Sequence, residues 1–92
     1  MIMNPHVKNV KALDDYQLAL EFENAERRIF DMKPYLNRGI FVRLQNRALF
    51  EAARVVAGSV ELPGGLDLSY DTLYLESRPV KAIDSQAAEA LS

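Results

Sequence analysis

The sequence contains no cysteine and only one histidine, His6. The absence of cysteine excludes disulfide bonds, a thiolate nucleophile, and zinc or iron-sulfur sites with cysteine ligands. His6 lies near the N-terminus, where we expect a structural or solvent-exposed position rather than the role of a general base or metal ligand. We therefore expect no enzyme activity, no cofactor and no bound metal, in a reducing compartment such as the cytoplasm.

Long apolar runs are also missing. No stretch approaches the roughly 20 residues that cross a bilayer, and the N-terminus lacks the basic and then apolar order of a signal peptide. We expect a chain that is neither secreted nor inserted in a membrane. At 92 residues it forms one domain, which buries roughly 60–67% of its unfolded surface, enough for one modest core but not for a deep cleft.

Residues 60–74 carry the strongest local signals. Residues 59–62 have the pattern of a strand, which ends at Pro63 because proline has no backbone N–H to donate. Gly64-Gly65 then supplies the positive φ angles of a chain reversal. The pair has neither the lysine nor the helix that follow in a phosphate-binding loop, so we interpret it as a turn.

A buried segment and a helix follow this turn. Leu66 and Leu68 flank Asp67 with a period of two, so the two apolar side chains point inward and the carboxylate points outward. Ser69 is a candidate N-cap, which predicts one or two helical turns over residues 70–75.

Two aspartates in this stretch allow an alternative interpretation. Asp67 and Asp71 are four residues apart and would share a face on one helix, as a carboxylate pair or a Mg²⁺ site requires. Because Asp67 precedes the cap, we instead expect it to form turn hydrogen bonds and Asp71 to interact with the helix dipole. A pocket in which both converge with Asp31 would indicate a hydrolase or a metal-dependent enzyme. The candidate motif, interpreted as structural, comprises Pro63, Gly64, Gly65, Asp67, Leu68, Asp71, Leu73 and Tyr74.

The clearest strand signal lies in residues 16–23, where apolar and polar side chains alternate. Asn24-Ala25 is the predicted hairpin turn. Because a two-residue turn favours glycine where this sequence has alanine, the turn is expected to be either strained or one residue longer. Residues 27–32 return as the partner strand, which places Glu21 opposite Arg28.

Further elements complete the predicted fold. An extended segment over residues 7–13 and a hairpin over residues 54–62, split at Gly58, bring the total to about five short strands. Pro34 begins a short helical turn. The mixed spacing of the apolar residues up to Phe50 fits a short helix near Asn46–Phe50 as well as irregular packing. The predicted class is α+β, a small antiparallel sheet with one or two short helices packed on one face.

The C-terminal part has a different composition. Residues 1–77 form the predicted single domain and residues 78–92 a tail, in which Asp84 or Ser85 can cap a helix. Residues 86–91 favour a helix but are too few to form a stable one alone. We therefore expect a short helix that docks on this chain or on a neighbour, or else frays.

Basic residues concentrate in the middle of the chain, between Arg27 and Arg54, and outnumber the acidic Asp31 and Glu51 there. One interpretation is a nucleic-acid-binding face. We favour local neutralisation, because Glu21 would face Arg28 across the first hairpin. The candidate nucleic-acid patch comprises Arg27, Arg28, Arg38, Arg43, Arg47 and Arg54.

Several of these segments, in this order, resemble a known family. They are Phe22–Glu26, Phe30–Leu36, Gly39–Phe41 and Val60–Tyr74. Over nearly all of residues 5–77 the sequence resembles the bacterial domain of unknown function 2442 family. The most specific part is Pro63–Tyr74. The sequence departs from the family pattern at Leu62, where tryptophan is common, and at Ala25, where glycine is common.

The resemblance implies a compact α+β fold with an antiparallel sheet and no established catalytic residues. Members of the family are sometimes joined to a helix-turn-helix DNA-binding domain or encoded beside small toxin-like proteins. We therefore expect a non-enzymatic protein-interaction or regulatory module whose partner is another protein or a second copy of itself. The alternative is nucleic-acid binding or transcription regulation through the basic block Arg27 to Arg54.

Overall fold

The computed structural model describes residues 3–81. Four antiparallel strands form the first sheet, in which the order is β1-β2-β3-β7. These strands are β1 (Val7–Ala12), β2 (Gln17–Phe22), β3 (Arg27–Asp31) and β7 (Arg78–Pro79). β7 therefore extends the sheet with two residues that the sequence assigned to the tail. The helix predicted over residues 86–91 lies outside the described residues.

Three antiparallel strands, β4 (Arg54–Val56), β5 (Ser59–Leu62) and β6 (Leu66–Leu68), form the second sheet in that order. Ala57 and Gly58 join β4 to β5 with φ angles of 52° and 84°, the two positive angles that a type I′ hairpin turn needs. The first sheet contacts this turn, since the backbone N–H of β1 at Val7 donates to the carbonyl of Gly58 at 2.8 Å.

Short helices connect the strands. Two 3-10 helices span Lys33–Tyr35 and Gly39–Gln45, and two α-helices, α1 and α2, span Arg47–Phe50 and Tyr70–Glu76. Both α-helices begin at a capping side chain. The Asn46 side chain accepts the N–H of Ala48, and the Ser69 hydroxyl accepts the N–H of Thr72 at 3.3 Å. None of the described helices has the length and apolar character needed to cross a membrane.

One buried apolar cluster joins the two sheets. Leu18, Leu20 and Phe22 contribute to it from β2, and Val60 and Leu62 contribute from β5. Burial of each large side chain contributes about 1.5–3 kcal/mol, so this cluster is the main source of cohesion between the sheets. The largest fully buried side chains are Phe22, Phe30, Phe50, Leu18, Leu20, Met32, Leu44, Leu62, Leu73, Val7 and Val60.

The predicted α+β class with antiparallel strands is confirmed, while the strand count differs. Residues 3–81 contain seven strands in two sheets, where the sequence predicted about five strands in one sheet. β6 has three residues and β7 has two. Alternation over so few positions does not distinguish a strand from a turn or loop, which is why the count from the sequence is too low.

The turn between β2 and β3 takes the longer of the two forms that the sequence allowed. Its loop has three residues, Glu23 to Ala25, because the N–H of Phe22 donates to the carbonyl of Glu26 at 2.9 Å. Ala25 has a φ of 72°. A left-handed residue at the end of the loop is what a three-residue hairpin requires, and glycine is the residue that fits there without strain.

This longer loop shifts the strand register by one residue. Arg27 lies opposite Glu21, and Arg28 lies opposite Leu20. The predicted pairing of Glu21 with Arg28 is therefore wrong. The Glu21 carboxylate also accepts a hydrogen bond from Asn9 Nδ2 at 2.6 Å.

We expect Ala25→Gly to stabilise the fold by about 0.5–1 kcal/mol. A left-handed residue with a Cβ costs roughly 1–2 kcal/mol, and the greater freedom of glycine in the unfolded chain cancels about half of the gain. Urea unfolding measures the difference in free energy. The control is Ala52→Gly, at an exposed alanine without a positive φ, which should be neutral or destabilising. Equal effects in the two variants would contradict strain at Ala25.

Candidate interaction surface

The motif that begins at Pro63 builds an edge of the second sheet. Gly64 and Gly65 reverse the chain between β5 and β6 with φ angles of 90° and 77°. The guanidinium of Arg43 lies so close to Gly64 that a Cβ there would be 2.6 Å from Arg43 Nη1. After the turn, β6 pairs with β5 on one side, and no other strand among residues 3–81 pairs with its second edge.

The rest of the motif attaches α2 to the core. Leu68 and Leu73 are buried. Asp71 lies in the first turn of α2 and accepts a hydrogen bond from Asn4 Nδ2 at 3.0 Å. The ring of Tyr74 packs edge-on against the ring of Phe22, with 5.2 Å between centroids. These contacts hold α2 against the core, so the second half of the motif has a structural role.

A row of charged residues crosses the outer face of the second sheet. Arg54, Glu61 and Asp67 lie opposite one another on β4, β5 and β6. Arg54 Nη2 forms a salt bridge with Glu61 Oε1 at 2.6 Å. Asp67 is exposed and lies within β6, not in a turn. The row therefore has a cation at one end and a carboxylate at the other.

An apolar side chain adjoins this row. Val56, two residues after Arg54 on the same face of β4, is 41% exposed. It lines a groove of about 380 Å³ together with Ser59, Glu61 and Asp67. We use the term outer surface for the five residues Arg54, Val56, Ser59, Glu61 and Asp67. Exposed apolar area next to charged residues is common in protein-protein contacts.

Arg28 of the candidate basic patch connects β3 to the end of α2. Its Nε donates to Ser77 Oγ at 2.8 Å and its Nη2 to the Ser77 carbonyl at 2.6 Å. The guanidinium carbon also lies 4.8 Å from the centroid of the Tyr74 ring. The interaction of the Tyr74 hydroxyl with Glu26, assisted by Asn24, lowers the pKa of Glu26, and the same carboxylate raises the pKa of Tyr74.

Arg47 holds the turn between β1 and β2 against α1. Its Nη2 donates to the Leu13 carbonyl at 2.6 Å, its Nη1 to the Asp14 carbonyl at 3.1 Å, and its Nε to Glu51 at 2.8 Å. The guanidinium carbon lies 5.1 Å from the centroid of the Tyr16 ring. Arg47 also lines a groove of about 540 Å³, but these contacts already use the three nitrogens of its guanidinium.

The remaining arginines of the candidate patch contact other elements. Arg38 lies over the ring of Tyr35, with 5.6 Å between guanidinium carbon and centroid. Arg43 adjoins the glycine turn, and Arg54 pairs with Glu61. Arg27 is exposed on β3 opposite Glu21. Arg28, Arg38, Arg47 and Arg54 thus each contact a different group of the fold.

The side chains considered for catalysis lie on different elements. Asp31 ends β3, Asp67 lies on β6 and Asp71 lies on α2. Within residues 3–81, no group of three or more His, Asp or Glu side chains is arranged to hold a metal ion. His6 packs against the ring of Tyr70 at 4.3 Å between centroids.

Val56 and the charged row were not recognised as a unit from the sequence. Ser59 and Glu61 alternate with the buried Val60 and Leu62, a pattern that does place Ser59 and Glu61 on an outward face. The pattern does not reveal that Asp67 lies opposite Glu61, because this pairing depends on the register that the glycine turn sets.

Comparison with protein families finds a match over residues 7–79 to the family described as Protein of unknown function (DUF2442). The chain belongs to this family. The DUF2442 match begins at the first residue of β1 and ends at the last residue of β7, so both sheets are part of the family's unit. The resemblance inferred from the sequence is thereby confirmed. No curated protein and no solved structure matches the chain.

Arg28→Ala is expected to lower the free energy of unfolding by about 1–3 kcal/mol, because charged hydrogen bonds to Ser77 are lost and the serine carbonyl loses its partner. Arg38→Ala is the control, since Arg38 is exposed and has a weaker stacking contact. It should cost at most about 0.5–1 kcal/mol. Chemical denaturation of both variants measures the losses, and similar losses would contradict the structural role of Arg28.

Proposed function

We propose that this DUF2442 chain is a non-enzymatic protein-interaction module and that the outer surface is its contact region. The observation that carries the proposal is the exposed Val56 beside the charged row Arg54, Glu61 and Asp67. Arg28 and Arg47 support it indirectly, because their contacts serve the fold and so weigh against the alternative basic patch. The outer surface combines apolar area with charges that can select a partner.

A second copy of the chain is the partner that fits this surface. A two-fold axis over the middle of the row would set Arg54 of one copy near the partner's Asp67, and the reverse pairing follows from the symmetry. Val56 lies on the same strand as Arg54, so it would then face β6 of the other copy. The second edge of β6, which no strand of residues 3–81 pairs with, borders the same face and adds backbone hydrogen-bonding groups to the contact.

The biological setting proposed with this function comes from composition and resemblance. The absence of cysteine favours the cytoplasm. The resemblance favours a bacterial accessory or regulatory role, in the setting of a toxin-antitoxin-like pair. These parts of the proposal stay predictions.

Val56→Asp is expected to weaken self-association at least tenfold, because it places a carboxylate within the contact, opposite the strand that carries Asp67 in the other copy. Analytical ultracentrifugation over a concentration series measures the dissociation constant. The matched control is Val42→Asp, since Val42 is 45% exposed in the 3-10 helix Gly39–Gln45. A wild-type chain that stays monomeric at high micromolar concentration would contradict self-association.

A charge exchange tests the orientation of the two copies. Arg54→Asp and Asp67→Arg should each weaken association, and the double variant should recover it, because the double exchange restores opposite charges across the axis. If the double variant is weaker than both single variants, the two residues do not face each other.

The alternative, nucleic-acid binding through the basic patch, predicts measurable affinity for duplex DNA. We expect weak or no binding of duplex DNA at physiological salt, because Arg28, Arg47 and Arg54 already contact groups of the fold. Fluorescence anisotropy over a salt series measures it. Submicromolar affinity that falls steeply with salt, with a smaller slope in the variant Arg38→Ala/Arg43→Ala, would favour the alternative.

A further inference from the structure

β1 is a border strand of the first sheet, and a groove follows part of its outer side. β2 pairs with one side of β1, and no other strand among residues 3–81 pairs with the opposite side. The turn between β4 and β5 covers the beginning of that side, where the N–H of Val7 donates to the carbonyl of Gly58 at 2.8 Å. Farther along β1, the groove of about 540 Å³ borders residues 10–12. We call residues 10–12 the β1 edge.

The backbone of the β1 edge presents hydrogen-bonding groups on the side of the groove. The N–H of Leu13 donates to the carbonyl of Gln17 at the start of β2. Bonded and non-bonded pairs alternate along an antiparallel ladder, so the backbone of Lys11 bonds to β2, whereas Val10 and Ala12 hold non-bonded positions. The N–H and C=O groups of Val10 and Ala12 therefore point away from β2. An extended segment beside them would exchange backbone hydrogen bonds with both residues, as in β-strand addition.

Small apolar side chains form one side of the groove. Val10, Ala12 and Ala53 are half-buried, pack against the main core and line the groove. The salt bridge of Arg47 with Glu51, at 2.8 Å, lines it from α1 and the residue after α1. Because side chains of a strand alternate between two faces, every second residue of an added strand would lie beside Val10 or Ala12. Apolar residues at those positions would continue the apolar layer.

Lys11 gives the β1 edge a preference for one charge. Lys11 is exposed and pairs with Ala19, which belongs to the apolar cluster on the other face of the first sheet. Its side chain therefore lies on the opposite face from Val10 and Ala12. Opposite charges at facing positions of two strands attract, and like charges repel. The edge thus favours an acidic residue opposite Lys11, between two apolar residues.

A second copy of the chain fits this edge less well than another protein does. In a two-fold pairing of β1 with β1 through residues 10–12, the two copies of Lys11 would face each other and repel. β6 has the favoured pattern, Leu66-Asp67-Leu68, but its pairing with β1 of another copy is a head-to-tail contact, which extends into rings or filaments. A segment of a different protein avoids both the repulsion and the further assembly.

We propose that the β1 edge binds an extended segment of another protein in which an acidic residue lies between two apolar residues. The segment runs antiparallel to β1 and adds a strand to the first sheet. Its backbone hydrogen bonds supply affinity, and its side chains supply selectivity through Lys11 and the apolar side of the groove. The site lies on the first sheet, so it does not depend on the proposed self-association through the outer surface.

A synthetic peptide with capped ends, Ser-Thr-Val-Glu-Val-Thr-Ser, is the probe. Titration of the isotope-labelled full chain by NMR should shift the amide signals of residues 10–12 and give the dissociation constant. Ala12→Pro removes an N–H that points away from β2 and spares the bonds to β2, so the chain should stay folded and bind the peptide at least about fivefold more weakly. Absence of binding at millimolar peptide, or equal affinity in Ala12→Pro, would overturn the proposal. Unfolding of Ala12→Pro would overturn it as well, because the fold itself would then need this N–H.

A charge exchange tests the role of Lys11. Lys11→Glu should weaken binding of the peptide by about two- to fivefold and favour a peptide with lysine in place of glutamate. The matched control is Lys8→Glu, at an exposed lysine of β1 outside the edge, which should keep the wild-type preference. The same preference in Lys11→Glu and wild type would contradict the proposed pairing.

Two further measurements separate this site from self-association. Signals of residues 10–12 that shift with protein concentration alone would overturn the proposal, because a second copy would then occupy the edge. Val56→Asp should leave peptide binding unchanged, so failure of self-association and failure of the peptide site remain distinguishable.

Discussion

The apolar layer shared by the two sheets is the contact on which the rest of the structure depends. A sheet of three short strands, such as β4–β6, needs a covered apolar face to be stable, and the same holds for the short strands of the first sheet. Leu18, Leu20 and Phe22 supply that cover from one sheet, and Val60 and Leu62 from the other. Each sheet is therefore stable only in the presence of the other.

Outside this shared layer, polar contacts hold the short connecting helices in place. The helices are short, and α1 has only four residues, so capping and packing must fix their positions. Arg47 binds the carbonyls of the β1–β2 turn from α1, and Arg28 binds Ser77 at the end of α2. Both cations thus stabilise contacts between elements that have little apolar surface of their own, which leaves them less available for a nucleic acid.

The two outer faces of the sheets differ in character, and this difference directs the functional interpretation. The first sheet carries covered apolar residues such as Ala19 and Ile29. The second carries charged residues around the exposed Val56. A charged face with one exposed apolar side chain stays hydrated and still provides area for a partner, whereas an uncovered apolar face favours aggregation. The contact region that we propose is therefore the one that tolerates exposure in the free chain.

Signals that act within a few residues of one another can be recognised in the sequence alone, and they determined much of the fold. The Ser69 cap, the Gly64-Gly65 turn and the alternation of β2 could be predicted from the sequence, as could membership of DUF2442. Only the tertiary structure decided the strand register and the partners of the arginines. Ala25 lengthens a loop by one residue and so moves Arg28 away from Glu21, a shift that composition does not reveal. The pairing of Asp67 with Glu61 and the exposure of Val56 depend in the same way on packing between distant segments, which no local pattern encodes.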